Sequence, residues 1–252
     1  MVPMMKKIQK INLMFFLLFV AFCTILLYVL GMDFLGRQEK PWHLQPSVHE
    51  DSLSVAYTSQ YQIYDKIRMI DQVGDSSKRK VLILVDAWGV PTDENLLAED
   101  FSLFAEMPHK YGLHQRLANR TKHAELVEYR NNDTTGLYMF GGDSLEYDRK
   151  GYIPTLGYRE MLFCDSCSDS VMTLKLDSVL VNAEKSVIAW TTQDSRLGDR
   201  GKLHRTLTRI AALAKKYPDV QFIVQGAHRP ILGMPEIRRM HKSHWVPVVI
   251  LN

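Results

Sequence analysis

The feature that most constrains this chain is an uncharged run from Ile11 to Met32, in which 19 of 22 residues are apolar. A helix rises about 1.5 Å per residue, so a helix of this length crosses the ~30 Å hydrocarbon core of a bilayer. The run is preceded by three lysines: Lys6, Lys7 and Lys10. Basic residues stay on the cytoplasmic side. The pattern therefore predicts a cytoplasmic tail over 1–10, a transmembrane anchor over 11–32 and export of everything after it.

Other interpretations of the apolar run remain open but fit less well. A cleaved signal peptide has a shorter apolar region, roughly 7–15 residues, followed by small residues at the cleavage site. Here the run ends in Tyr28–Met32, which offers no such site. A lipoprotein cysteine at Cys23 would follow the bulky Phe22, and a buried core helix is seldom apolar on all sides. We therefore prefer an uncleaved anchor.

The net charge of the chain resides in its N-terminal tail. The 31 Lys and Arg residues exceed the 28 Asp and Glu residues by three, which equals the number of tail lysines. Because the remainder is neutral, it is not built as a general nucleic-acid binder. A content of 46% hydrophobic and 23% charged residues argues against disorder. The exported part is long enough for one α/β domain.

The exported part reads as a polar stalk or lead-in over 33–78, followed by one domain over 79–252. Buried strands are predicted at 80–86, 124–129, 186–191, 220–225 and 246–251. Helices are predicted at 61–73, 94–105, 110–120 and 203–217. Such alternation predicts a three-layer α/β/α fold with a mostly parallel central sheet, preceded by one transmembrane helix.

Two cysteines, Cys164 and Cys167, lie close together in a polar segment of the exported part. An exported compartment permits a disulfide, so a local structural disulfide is the preferred interpretation. A free pair, a redox dithiol and a metal role remain open, although a closed zinc site needs four ligands.

Acidic residues and histidines follow or precede the predicted strands where ligands usually bind. In a parallel sheet, ligands bind beyond the carboxyl ends of the strands. The candidates at such positions are Asp86, Asp194, Asp199, His228 and His244. Carboxylates and imidazoles at one edge are typical of a divalent-metal site. Each residue also has a plainer interpretation, as a turn cap or a structural histidine.

Four segments in this order resemble the alkaline phosphatase superfamily, over roughly residues 80–252. They are VLILVDAWG at 81–89, DSRLGD at 194–199, FIVQGAH at 222–228 and HWVPVVI at 244–250. The resemblance implies an alkaline phosphatase-like fold, with the candidate carboxylates and histidines binding Zn, Mn or Mg as one or two ions. Two positions depart from the family pattern. Asp199 stands where histidine is usual, and Ala227 stands where an aspartate ligand is usual.

The resemblance also implies a Ser or Thr nucleophile at a helix start. The polar segment 131–136 before Leu137 is taken as that place, which makes Thr135 the preferred nucleophile and Thr134 the next choice. A hydroxyl activated by metal contact would attack phosphorus in line. A plain turn that caps a helix remains the alternative.

Three arginines lie between the two candidate histidines and suggest an anion site: Arg229, Arg238 and Arg239. Arginine recognises phosphate or sulfate through two parallel hydrogen bonds. A solvated basic face, or contact with anionic lipid headgroups, remains the alternative.

The sequence thus predicts a membrane-anchored, extracytoplasmic, metal-dependent phosphoryl or sulfuryl ester transferase or hydrolase. Its expected partners are the lipid bilayer and a phosphate- or sulfate-bearing envelope lipid or glycan, with no nucleic acid. A second hypothesis is a catalytically incomplete protein of the same fold, which acts as a binding or scaffold subunit with envelope protein partners. Ala227 is its main support. A thiol oxidoreductase is a weaker third hypothesis.

Overall fold

The computed structural model describes residues 15–22, 62–64, 68–116, 119–130, 135–142, 151, 153–182, 184–232 and 234–252. The chain divides into two compact units, Met1–Gln45 and Pro46–Asn252. In the first unit, residues 15–22 form a helix whose apolar side chains are exposed. No helix within the described ranges has both the length and the hydropathy needed for a membrane span. The tail 1–10, Cys23 and most of the predicted anchor 11–32 lie outside these ranges.

The second unit is built on a sheet of eight strands. In chain order these are β1 Gln62–Tyr64, β2 Arg79–Val85, β3 His109–Gln115, β4 Leu137–Phe140, β5 Glu160–Phe163, β6 Val187–Thr191, β7 Val220–Gly226 and β8 Trp245–Leu251. They lie side by side in the order β1-β3-β8-β7-β2-β6-β4-β5. Strand β8 runs antiparallel to β3 and β7, whereas the other pairs are parallel. The predicted mixed α/β fold with a mostly parallel sheet is therefore confirmed.

Helices connect the strands. They are α1 Met69–Val73, α2 Glu94–Ser102, α3 Thr121–Glu128, α4 Asp169–Val181, α5 Arg200–Lys216 and α6 Pro235–Arg239, with a 3-10 turn at Ile153–Leu156. Asp93 is the N-cap of α2 and Asp199 is the N-cap of α5. Each side chain accepts a hydrogen bond from a backbone N–H in the first turn of its helix.

Both faces of the sheet are buried. Along β2, Val81, Ile83 and Val85 enter one hydrophobic cluster, which also contains apolar residues of α2, α4 and α5. Leu82 and Leu84 point the other way, into a cluster with Met69 of α1 and Ala124 of α3. A strand that is apolar on both sides belongs at the centre of such a sandwich, since successive side chains alternate between the faces. The sheet accordingly lies between two layers of helices.

Several helices and strands were predicted wrongly from the sequence, and two of the elements concerned have buried faces that contain polar residues. The predicted helix 110–120 contains most of β3, and the predicted strand 124–129 lies in α3 except for its last residue. Helix α3 buries Ala124, Glu125 and Glu128, a helical spacing that apolar patterns miss because two of these residues are acidic. The expected helix after residue 136 is strand β4, and 61–73 contains both β1 and α1.

Candidate functional site

Asp86 directly follows β2, and two hydrogen bonds hold its backbone in place. Its N–H donates to Thr192 Oγ1 over 3.1 Å, and its carbonyl accepts from Ser195 Oγ over 2.6 Å. The next residue, Ala87, has a φ of 56°, and its N–H donates to Asp86 Oδ1 over 3.1 Å. The side chain of Asp86 is nearly buried. The turn after β2 therefore holds one carboxylate in a defined direction.

His228 lies two residues beyond β7 and meets that carboxylate. Its Nε2 atom is 2.8 Å from Asp86 Oδ1, and both side chains are almost fully buried. Its Nδ1 lies 2.6 Å from the carbonyl oxygen of Arg229, which can only accept, so Nδ1 carries a hydrogen. A proton or a metal cation must then lie between Nε2 and the carboxylate. Burial opposes protonation, but the hydrogen bond to Asp86 and its charge outweigh burial and raise the pKa of His228.

Thr121 completes a triangle of polar atoms at this point. Its Oγ1 lies 3.0 Å from Asp86 Oδ1 and 3.0 Å from His228 Nε2. Thr121 is the first residue of α3 and is partly exposed. The free N–H groups at a helix N-terminus favour anions. The structure thus combines a hydroxyl, a carboxylate and an imidazole beside a place suited to a negatively charged group.

The buried carboxylate of Asp169 anchors the loop from Thr192 to Ser195, which is hydrogen-bonded to the backbone of Asp86. Asp169 Oδ1 accepts from the N–H of Gln193 over 2.8 Å, and Oδ2 accepts from the N–H of Asp194 over 3.1 Å. Thr206 Oγ1 of α5 also donates to Oδ2, over 2.9 Å. Burial dominates and raises the pKa of Asp169 to about 6. The segment from Thr192 to Ser195 is therefore anchored on one side and holds Asp86 on the other.

A buried ionic cluster lies beneath the site. Arg116, which follows β3, donates from Nη1 to Glu128 Oε1 over 2.6 Å, and from Nε and Nη2 to the carbonyl of Gly226 over 3.2 and 3.0 Å. Glu128 also accepts from the N–H of Met69 over 2.9 Å and lies 3.3 Å from His114 Nε2. Burial alone would raise the pKa of Glu128, but Arg116 and His114 lower it to about 2. The cluster ties α1, α3 and β3 to the end of β7.

His244 lies at the same edge of the sheet, because β8 is antiparallel and begins where the parallel strands end. Its Nδ1 donates to the carbonyl of Arg116 over 3.1 Å, and its carbonyl accepts from the Arg116 N–H over 2.6 Å. Its φ of 63° is left-handed. The structure brings His244 to the site edge, where Asp86 and His228 are in direct side-chain contact.

The remaining predicted site residues lie elsewhere or serve other roles. Asp199 is exposed and caps α5 by accepting from the N–H of Lys202 over 3.0 Å, so its carboxylate serves the helix. Asp194 is partly buried and contributes its backbone N–H to the loop anchor. Arg229 follows His228, whereas Arg238 and Arg239 are exposed on the short α6. Cys164 and Cys167 form a disulfide in this structure, with Cα atoms 5.4 Å apart.

Thr135 lies at the opposite edge of the sheet from Asp86. It precedes β4, and its Oγ1 is 2.7 Å from Ser186 Oγ, at the amino end of β6. Thr192, level with Asp86, lies six residues further along, which is roughly 20 Å in a strand. The expected placement of Thr135 at a helix start is therefore corrected, because residues 137–140 form a strand. Thr134 lies outside the described residues.

The residues present fit one cation better than two. Asp86, His228 and Thr121 offer three donor atoms, and His228 donates its other ring N–H to a carbonyl, as metal-binding histidines commonly do. Within the described ranges, however, no three His, Cys, Asp or Glu side chains gather as a metal group. Ala227 is fully buried among apolar residues and supplies no ligand. Among the described residues, no second set of ligands for a two-metal clamp gathers beside Asp86 and His228.

Four residues of the site were not predicted from the sequence: Thr121, Ser195, Asp169 and Arg116. For Thr121 a usable pattern existed, since it starts a helix after a strand, as the expected nucleophile does. That pattern was hidden because β3 was taken for a helix and α3 for a strand. For the others no sequence pattern separates a buried hydrogen-bonding residue from an exposed one.

Solved structures share this architecture. A protein of the alkaline phosphatase superfamily from Vibrio parahaemolyticus superposes with a TM-score of 0.51 at 12% identity, over 75% of this chain and 61% of that chain. This chain has the alkaline phosphatase superfamily fold. The resemblance over residues 80–252 is thus confirmed for the fold. No family model and no curated protein sequence matches the chain.

Two further alkaline phosphatase-like structures are similar at lower scores. The lipoteichoic acid synthase LtaP from Listeria monocytogenes gives a TM-score of 0.49 at 12% identity, over 69% of this chain and 65% of that chain. The phosphoglycerol transferase GacH from Streptococcus pyogenes, solved with sn-glycerol-1-phosphate, gives 0.47 at 12% identity, over 69% and 68%. The match spans less than two thirds of LtaP and of the Vibrio protein.

Proposed function

We propose that this protein is a membrane-anchored, extracytoplasmic transferase or hydrolase of phosphoryl or sulfuryl esters. The observation that supports it is the contact of Thr121 Oγ1 with both Asp86 Oδ1 and His228 Nε2 at 3.0 Å, at the start of α3. A nucleophilic hydroxyl needs a neighbouring group that accepts its proton, and the Thr121 hydroxyl already donates to the Asp86 carboxylate.

The chemistry assigns a role to each residue. Thr121 attacks phosphorus or sulfur and displaces the alcohol of the ester, which leaves with a proton, and water or an acceptor alcohol then takes the group from Thr121. The positive end of the α3 dipole favours the negatively charged oxygens of the transferred group. Asp86 and His228 would hold one divalent cation, Zn, Mn or Mg, which favours the Thr121 alkoxide. The loop from Thr192 to Ser195 keeps Asp86 aligned.

Positive charge around Thr121 suits an anionic substrate. Burial, followed by the charges of Arg116 and Arg120, lowers the pKa of His123 in α3. The charge of Arg116 also opposes protonation of His228. Arg116 is already paired with Glu128, so the exposed Arg120, which directly precedes Thr121, is the arginine that supports a phosphate or sulfate ester as substrate.

The substrate class follows from the predicted anchor over 11–32. A domain tethered to the outer face of a membrane meets envelope lipids and glycans, so a phosphate- or sulfate-bearing molecule of this kind is the proposed substrate. The apolar run of the sequence supports this placement.

A second candidate function is a catalytically incomplete scaffold of the same fold with envelope protein partners. Two observations favour it: Ala227 is packed in the core, and the Asp199 carboxylate caps α5. Both positions then contribute to folding and neither binds a metal.

Turnover by matched threonine variants distinguishes the two functions. Full-length protein in detergent is assayed with aryl phosphate and aryl sulfate esters, with Zn, Mn or Mg added. We expect activity in the wild type, and Thr121→Ala to lower it by about 100-fold or more, since the attacking oxygen is lost. Thr135→Ala is the control, because it removes a threonine hydroxyl at the far edge of the sheet.

One result would contradict the proposed enzyme, and another would contradict its assigned nucleophile. The first is an absence of turnover with every ester and metal, which leaves the scaffold. The second is equal activity in Thr121→Ala and Thr135→Ala, which excludes Thr121 as the nucleophile. Partial activity in Thr121→Ser would support a hydroxyl nucleophile.

A further inference from the structure

We infer that two neighbouring loops at the site edge form a surface that rests on an anionic lipid bilayer. This surface, called the interfacial patch, consists of Leu197, Leu232, Met234, Arg238, Arg239 and Met240. The inference rests on the membrane placement within the proposed function, but not on catalysis.

The patch concentrates exposed apolar side chains. In the described part of the chain after residue 61, eight large hydrophobic side chains are exposed, and four of them lie here. Met234 is 66% exposed, Leu197 54%, Met240 52% and Leu232 46%. Scattered exposed apolar residues are ordinary, but a group at one place marks an interaction surface.

The two segments that carry the patch pack against each other. A Cβ atom on Gly198 would lie 2.8 Å from Ile237 Cγ2 and 3.2 Å from Pro230 Cβ. The same loops border a cavity of about 270 Å³ whose apolar lining includes Leu96, Leu203, Ile237 and Met240. The patch therefore combines exposed apolar side chains with an apolar cavity beside them.

Charge identifies the partner as an anionic surface. The segment 229–242 contains four basic residues, Arg229, Arg238, Arg239 and Lys242, against one acid, Glu236. Arg238 and Arg239 are exposed between Met234 and Met240. Apolar side chains that enter the headgroup region and arginines that meet lipid phosphates are typical of interfacial binding.

The patch is joined to the candidate site at two points. Ser195, two residues before Leu197, holds the carbonyl of Asp86, and Arg229, three residues before Leu232, accepts from His228. A bilayer contacted by these loops would place lipid headgroups at the edge where Thr121 lies. The surface would thereby select membrane-borne substrates over soluble ones.

Tryptophan quenching by lipid tests the patch directly. Full-length Met234→Trp and Leu174→Trp variants are reconstituted in vesicles of phosphatidylglycerol and phosphatidylcholine with brominated acyl chains. Leu174 is the matched control, since it is 67% exposed on α4, away from the patch. Both leaflets have the same composition, so the orientation of insertion does not matter. We expect quenching of the added indole to be about twofold greater or more at Met234→Trp.

Charge is tested separately from apolar contact. Arg238→Glu with Arg239→Glu, or vesicles of phosphatidylcholine alone, should remove the excess quenching at Met234→Trp. Equal quenching at the two positions overturns the patch, as does failure of the full chain to join vesicles. If the excess quenching at Met234→Trp persists both in the Arg238→Glu and Arg239→Glu variant and in phosphatidylcholine vesicles, an anionic lipid surface is not the partner. Because no turnover is measured, failure here leaves the proposed enzyme untouched, and inactive protein leaves the patch untouched.

Discussion

Asp86 depends on two backbone hydrogen bonds as much as on its side-chain contacts. Thr192 Oγ1 accepts from its N–H, and Ser195 Oγ donates to its carbonyl. Both side chains are buried, so neither bond is replaced readily by water. Thr192 and Ser195 therefore act as positioning residues: they hold Asp86, and Asp86 in turn contacts Thr121.

A conservative pair at Thr192 separates positioning from folding. Thr192→Val leaves the buried N–H of Asp86 without its acceptor, which should lower the free energy of unfolding by about 1–3 kcal/mol. Thr192→Ser keeps the oxygen and should restore most of the loss. If the proposed function holds, kcat falls in Thr192→Val while KM changes little. Equal kcat in both variants, measured on folded protein, would remove the positioning role.

Among the secondary-structure elements, α3 is joined to the sheet by the buried pair of Arg116 and Glu128. A carboxylate with a lowered pKa stabilises the fold above its unfolded pKa, and this contribution disappears as the pH falls to its folded pKa. For Glu128 these limits are 4.5 and about 2. The contribution is therefore present at neutral pH and lost in acid.

Urea unfolding at several pH values measures this contribution. We expect the wild type to lose about 3 kcal/mol of unfolding free energy between pH 4.5 and 2 through Glu128. Glu128→Gln should lose less over that range, although it is less stable at neutral pH because Arg116 is left unpaired. Glu106→Gln is the control, since this exposed glutamate pairs with Lys215 on the surface. Parallel pH profiles for Glu128→Gln and wild type would contradict the prediction.

Two elements that were predicted correctly from the sequence have long apolar faces, although an apolar face alone is not sufficient, since the fully buried β4 was taken for a helix. Strand β2 has five consecutive buried aliphatic residues, and α5 repeats Leu203, Leu207 and Ile210 on one face. Elements with buried polar faces were assigned wrongly. Strand β3 buries His114 and Gln115, and α3 buries Glu125 and Glu128.

The same distinction explains the partial success at the site. Asp86 and His228 follow apolar strands, so their common edge could be predicted, and the structure joins them. Thr121 was not predicted, because it starts the helix that was mistaken for a strand. The caps and anchors, such as Asp199 and Asp169, depend on tertiary hydrogen bonds that no single-sequence pattern reports.

The whole molecule is expected to be oriented by the three lysines before the apolar run. Lys6, Lys7 and Lys10 changed to Glu should reduce the exported fraction, because cytoplasmic retention of positive charge sets the orientation. A C-terminal tag accessible to protease from outside intact cells measures export. The same three lysines changed to Arg form the control, which should export normally. Equal tag accessibility in the two triple variants would contradict the predicted topology.

Two residues beside the site keep a backbone conformation that L-amino acids rarely adopt: Ala87, at a φ of 56°, and His244, at 63°. Each costs the folded state about 1 kcal/mol or more, which neighbouring bonds must offset. Glycine would relieve the cost at Ala87 but would loosen the turn that aims Asp86. Substitutions selected for thermal stability alone are therefore expected to erode this edge, since two of the four non-glycine residues with positive φ in the described part of the chain lie beside its candidate reactive groups.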